Sequence, residues 1–165
     1  MLTFKEFLLM EKIIPGVFIG IKLSEKSLDN IEQFIKDQHV PNPVARDDIH
    51  TTLIYSKKSF SIDEWEQPKT IKETAKPIKF DLFGKENNCL VVLLDSAFLV
   101  ERNAHIVKQY GATSDYDEYQ PHITLSYDCT NCNLDFAQFP TNIELVQEYA
   151  TSLDDDWTGT KESDK

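Results

Sequence analysis

The sequence predicts an α+β fold: two pseudo-symmetric lobes of antiparallel sheet, each carrying a helix, around a central cleft. Three observations predict it. A strand–helix–loop–strand plan runs twice, over about residues 17–56 and 89–128. Both second strands open with the same four-residue pattern, His-x-Thr-Leu. Further segments at 76–84 and 141–150 have strand character. The 165 residues are the size of one ordinary domain, so 1–153 is read as a single domain and 154–165 as an acidic, largely flexible tail.

Taken in order, the opening MLTFKEFLLMEK spaces Leu2, Phe4, Phe7, Leu8 and Met10 as a short amphipathic helix would. Lys5, Glu6, Glu11 and Lys12 break its apolar character, and it is not read as a signal peptide. With no export signal read, the chain is expected to act in the cytoplasm, that of the host cell if it is viral. The first repeat begins with an apolar strand near 17–23. A helix near 25–38 follows, with Ser24 as N-cap and Leu28, Ile31, Phe34 and Ile35 as the apolar stripe. A loop with Pro41 and Pro43 ends it, and a strand starts at Ile49. In the second repeat, a strand near 89–95 leads to a helix near 97–110, with Ser96 as N-cap and Gly111 just past its end. The polar loop ATSDYDEYQ then leads to a strand near Pro121.

Charge and cysteines narrow the function. A net charge of −11 and scattered basic residues, with Lys57-Lys58 the one adjacent pair, argue against a long nucleic acid. A small nucleotide in a local pocket remains compatible. No apolar run nears the roughly 20 residues of a membrane span, and no obligate protein partner is expected. Three cysteines do not suggest a disulfide framework. Cys129-x-x-Cys132 lacks the further ligands of a zinc site and does not open a helix, so both are read as loop cysteines.

The chemistry is carried by His50-Thr51-Thr52-Leu53 and His122-Ile123-Thr124-Leu125. On a strand, residues i and i+2 share a face, so His50 goes with Thr52 and His122 with Thr124. If the repeats pack by a pseudo-twofold, two imidazoles and two hydroxyls meet across a cleft. One histidine takes a proton while the other gives one, and threonine hydroxyls donate to anionic oxygens. That set suits in-line displacement at phosphorus, where positioning and charge stabilisation do most of the work. No Asp/Glu cluster resembles a two-metal site, and neither metal nor cofactor is expected. His39, at a helix end, and His105, inside a helix, lack the threonine and are read as structural. Tyr55 and Tyr127 lie five residues after His50 and His122, an odd offset, and are expected to point away from the catalytic face and pack.

The paired H-x-T-L motifs resemble the two-histidine (2H) phosphoesterase superfamily. The segments GVFIGIKL, IHTTLIYS and YGATSDYDEYQPHITLSYD, and the stretch up to Trp157, are similar to the phage anti-CBASS family, over about Gly16 to Trp157. The resemblance implies His50 and His122 as the acid–base pair, with Thr52 and Thr124 holding the scissile phosphate. It implies metal-free opening of 3′–5′ bonds in cyclic di- and trinucleotide immune signals such as 3′,3′-cyclic GMP-AMP, with a ribose 2′-hydroxyl attacking its own 3′-phosphate. Family ligand-contact positions fall on Phe18, Phe83 and Trp157, the last as part of a lid, and Glu148 is the nearest candidate for reading a base. Phe18 and Phe83 depart from the family's tyrosine and tryptophan. Phenylalanine keeps a stacking face but no hydrogen-bond donor. Both positions also fit ordinary strand core. Lys22 shares the strand face of Phe18 by period-2 counting and could reach phosphate.

Two rivals stand beside this expectation. One is a 2H phosphodiesterase acting on RNA 2′,3′-cyclic phosphate ends, which would use the same four residues. The other is a cyclic nucleotide sponge that binds without cutting, for which two proton-transfer groups would be superfluous.

Overall fold

Side-chain alternation and serine caps organise the chain, which a computed structural model describes over residues 16–130, 132 and 134–153. Among these residues six strands form: β1 (Gly16–Leu23), β2 (Thr51–Ser56), β3 (Lys69–Phe83), β4 (Cys89–Asp95), β5 (His122–Ser126) and β6 (Ile143–Leu153). Two α-helices accompany them, α1 (Glu25–Asp37) and α2 (Ala97–Tyr110). The chain is therefore α+β, as its pattern predicts. The strands are antiparallel throughout and close on themselves in the order β1-β2-β5-β4-β3-β6. The repeat is visible as β1-α1-β2 and β4-α2-β5, and within each unit the two strands pair with one another. No described helix is long and apolar enough to cross a membrane.

Each helix starts where its cap requires. Ser24 Oγ accepts from the Ser27 amide and Ser96 Oγ from the Leu99 amide, both at 3.1 Å. Each satisfies a helix N–H that lacks an intrahelical partner. Gly111 ends α2 in the left-handed region, φ 69°, where the absence of a Cβ removes the steric cost. Ile31 and Phe34 of α1, and Leu99 and Ile106 of α2, pack with Ile19, Ile21, Leu90, Val92 and Leu94 from one face of the sheet. That face is the core, and the opposite face carries the residues that follow.

Some boundaries differ from the sequence expectation. β3 starts at Lys69 rather than near 76, and β6 continues to Leu153 rather than ending near 150. The extra length is the β3–β6 pairing, from Lys69↔Glu148 to Ala75↔Ile143. In KTIKET that pairing is made by main chain, which a polar stretch does not advertise in its side chains. Cys129 and Cys132, read as plain loop cysteines, form a disulfide across a turn with Cα atoms 5.3 Å apart. The expected N-terminal helix and the tail from 154 onward lie outside the described residues.

Both H-x-T-L motifs carry a β-bulge at the same place. Against β1, Thr52 pairs with Gly20 and Ile54 with Ile19, which leaves Leu53 as the extra residue. Against β4, Thr124 pairs with Val91 and Ser126 with Leu90, which leaves Leu125 extra. Both leucines are buried. A bulge re-aims the side chains that follow it.

Candidate active site

β2 and β5 meet through one register pair, Thr51↔Ile123. Both residues are fully buried on the core side. Alternation therefore turns their neighbours, His50, Thr52, His122 and Thr124, to the opposite face. Antiparallel register about that pair sets Thr52 beside His122 and His50 beside Thr124. The sequence expectation was two separate faces meeting across a cleft. The structure brings all four residues onto one face of a continuous sheet, in a crossed arrangement.

The two rings are held alike. His50 Nδ1–H donates to the carbonyl of Asp48 at 2.7 Å, and His122 Nδ1–H donates to the carbonyl of Gln120 at 2.8 Å. A carbonyl only accepts, so Nδ1 carries the hydrogen and Nε2 is the atom left for proton transfer. Thr52 Oγ1 lies 3.2 Å from His50 Nε2 and donates to it when the ring is neutral. Tyr119 Oη donates to the carbonyl of Thr52 at 2.9 Å and ties that stretch of main chain to the loop after α2. Burial pushes the Tyr119 phenol up, so it stays a donor.

Each histidine also has a phenylalanine against it. Phe18 meets His50 edge-on with ring centroids 5.5 Å apart, and Phe83 meets His122 likewise at 4.9 Å. The positions with two open readings thus stand beside the two imidazoles, Phe18 itself being buried. Tyr149, which the sequence reading missed, pairs with Gly20 on the same face. Its ring lies 6.0 Å from that of Phe18 and 5.5 Å from Lys22 Nζ, so Lys22 joins the wall that ends at His50. A Cβ on Gly20 would stand 2.7 Å from Tyr149 Oη, so the glycine is what admits the ring. An isolated glycine inside a strand is the signal that could have revealed this close approach.

Other expected positions fall elsewhere. Glu148 pairs with Ile21, on the core side, and is 1% exposed. There it accepts from Arg102 Nε and Nη2, both at 2.9 Å, and from the Trp65 indole. The structure does not bring it to the histidines. Burial would raise its pKa, but the Arg102 and Trp65 hydrogen bonds hold the carboxyl below its ordinary value. Trp157 lies outside the described residues. Tyr127 packs against the core, as expected. Tyr55 does not point away: the Leu53 bulge shifts the count by one, Tyr55 pairs with Phe18, and its side chain lines a cavity.

That cavity, about 690 Å³, is entered beside the seam and is lined by Thr52 and His122 together. The arrangement offers two Nε2 atoms for proton exchange and two hydroxyls for an anion, with room for a ligand alongside. Among the described residues no three His, Cys, Asp or Glu side chains converge as metal ligands.

A family model described as "Anti-CBASS protein Acb1" matches residues 15–160. The chain is 34% identical over 158 residues to the anti-CBASS protein Acb1 of Yersinia phage phiR1-RT, covering 95% of this chain and 97% of that one. It is 33% identical over 159 residues to the one from Enterobacteria phage T4, with the same coverage of 95% and 97%. Among solved structures, E. coli LigT complexed with 3′-AMP superposes with a TM-score of 0.58 at 13% identity, over 84% of this chain and 88% of that one. A protein described as a phosphoesterase gives 0.56 at 18% identity, over 86% and 91%. At those identities the two structures establish a shared fold.

Proposed function

From the premise that this chain belongs to the anti-CBASS protein Acb1 family, we propose that it is a phosphodiesterase that opens 3′–5′ bonds of cyclic di- and trinucleotide immune signals, 3′,3′-cyclic GMP-AMP among them. It would act inside the host cell as a viral counter to CBASS immunity. The single observation that carries the reading is the matched pair of imidazoles, each with Nδ1–H on a carbonyl two residues upstream, which makes Nε2 the ring atom that can exchange a proton. In this reading one Nε2 takes the proton of the ribose 2′-hydroxyl as it attacks the adjacent 3′-phosphate. The other Nε2–H protonates the departing 5′-oxygen. Thr52 and Thr124 donate to the phosphoryl oxygens, where charge builds. The product is a linear nucleotide ending in a 2′,3′-cyclic phosphate, and no step needs a metal.

The test is chromatography of 3′,3′-cyclic GMP-AMP and of an RNA bearing a 2′,3′-cyclic phosphate end, each incubated with the protein in excess EDTA. Linear product from the cyclic dinucleotide is the expected result. Turnover of the RNA end alone would move the substrate to RNA. A cyclic dinucleotide that stays bound and intact would make the protein a sponge.

A further inference from the structure

The other repeat holds β2 at its bulge. The pairing of β2 with β5 is limited to Thr51↔Ile123, and among the described residues no further register pair continues that seam. Carbonyls past Thr51 need other donors, because a half-buried carbonyl left unpaired is costly. Two side chains supply them. Tyr119 Oη donates to the Thr52 carbonyl at 2.9 Å, and Asn103 Nδ2 donates to the Leu53 carbonyl at 2.7 Å. Further along, the Thr113 amide donates to Ser56 Oγ at 3.0 Å. All three donors come from α2 and the loop after it, so one stretch of the second repeat braces β2 from Thr52 to Ser56.

The other bulge is secured differently. There the Leu125 carbonyl accepts from the Val44 amide at 2.9 Å, and Pro43 bridges Ser126. Any residue but proline supplies such an amide. At Thr52 and Leu53 the same support depends on one phenol and one carboxamide. The Thr52 carbonyl belongs to the peptide that leaves Thr52 Cα, so fixing it fixes the direction in which Thr52 Oγ1 points. A misplacement of about 1 Å at a group that must meet a reacting phosphate costs about 10²-fold in rate.

We propose that Tyr119 and Asn103 are positioning residues of the phosphodiesterase site: by holding the bulged main chain they aim the Thr52 hydroxyl at the scissile phosphate. The inference rests on the reading of Thr52 as a donor to that phosphate. Neither residue exchanges a proton with substrate, and both act through Thr52.

A double-mutant cycle on the rate tests this. Single-turnover kinetics on 3′,3′-cyclic GMP-AMP in EDTA are measured for the wild type, Tyr119→Phe and Asn103→Leu, and for both substitutions in Thr52→Val protein. Thermal melts first establish that each variant is folded, and if one of the two is not, the other carries the comparison. Each substitution is expected to lower the saturated rate roughly 10- to 100-fold. The half-saturating concentration should stay within about twofold, and the limbs of the pH profile should not move, because the imidazoles are untouched. In Thr52→Val protein the same substitutions should change the rate by less than about twofold, since the hydroxyl they aim is gone. Equal losses in both backgrounds would make the two residues structural only and overturn the proposal. So would an unchanged rate, or a loss confined to the half-saturating concentration. If the wild type leaves the cyclic dinucleotide intact, the substrate reading alone fails. The same cycle is then run on an RNA with a 2′,3′-cyclic phosphate end, where a loss that depends on Thr52 remains the expected result and its absence overturns the proposal.

Discussion

Thr51 and Ile123 form the register pair that joins β2 to β5, and through it each histidine comes to lie beside the threonine of the other motif. The site is therefore a property of the seam between the repeats. In the proposed reaction Thr52 and Thr124 both donate to the one scissile phosphate, so the site draws on both repeats.

The first prediction concerns those hydroxyls. Thr52→Val and Thr124→Val keep the branched shape and remove a donor to the phosphoryl oxygens. Each should lower kcat by about 10²- to 10³-fold, the cost of one preorganised donor. Thermal melts should move little, and steady-state kinetics on 3′,3′-cyclic GMP-AMP reads the effect.

A second prediction uses the space over Gly20. A Cβ there would meet Tyr149 Oη at 2.7 Å and Phe18 Cε1 at 2.8 Å. Gly20→Ala must displace both rings, and Phe18 is the ring against His50. The strain should cost about 1–3 kcal/mol in stability and lower activity along with it. Adding Tyr149→Ala should restore part of the stability, and a double-mutant cycle by urea unfolding measures the coupling.

Arg102 supports the fold from behind the sheet. It bonds the buried Glu148 twice and reaches Glu64 at 3.1 Å. Arg102→Ala takes the guanidinium partner from a carboxylate that is 1% exposed and leaves it the Trp65 indole and, at 4.0 Å, the Lys69 ammonium. A loss of about 3–5 kcal/mol is expected, read as a lower urea midpoint.

The same cluster sets the acid limit. The ammonium of Lys69, then Tyr110, hold the Glu64 carboxyl down to about 2 from an ordinary 4.5, and Glu148 is held below its usual value as well. Carboxyls with folded pKa values below the unfolded ones contribute stability that is complete above the unfolded value and is lost as pH falls through the folded one. Stability should therefore decline from about pH 4.5 toward pH 2. Denaturant midpoints across that range check it, and in Arg102→Ala the decline should be shallower.

Much of the site was legible because strands translate spacing into facing. The H-x-T pairs announced that His50 with Thr52, and His122 with Thr124, would point one way, and they do. The serine caps and Gly111 marked both helices. What period-2 counting missed follows from one cause: a bulge has no sequence mark. Leu53 adds one residue to its strand, and Tyr55 changes sides. Glu148 was misplaced for a related reason. Its face depends on pairing with Ile21, and its partners Arg102 and Trp65 lie far away in the chain. The carbonyls of Asp48 and Gln120 that orient the rings left no trace, since any residue type supplies a carbonyl.

The central claim is that His50 and His122 exchange the protons, one as base and one as acid. The measurement is the single-turnover rate on 3′,3′-cyclic GMP-AMP in EDTA, as a function of pH, for the wild type, His50→Ala and His122→Ala. The account predicts a bell-shaped profile for the wild type and no detectable linear product from either variant. A flat profile between about pH 5 and 8, or a variant that still cuts at the wild-type rate, would contradict it.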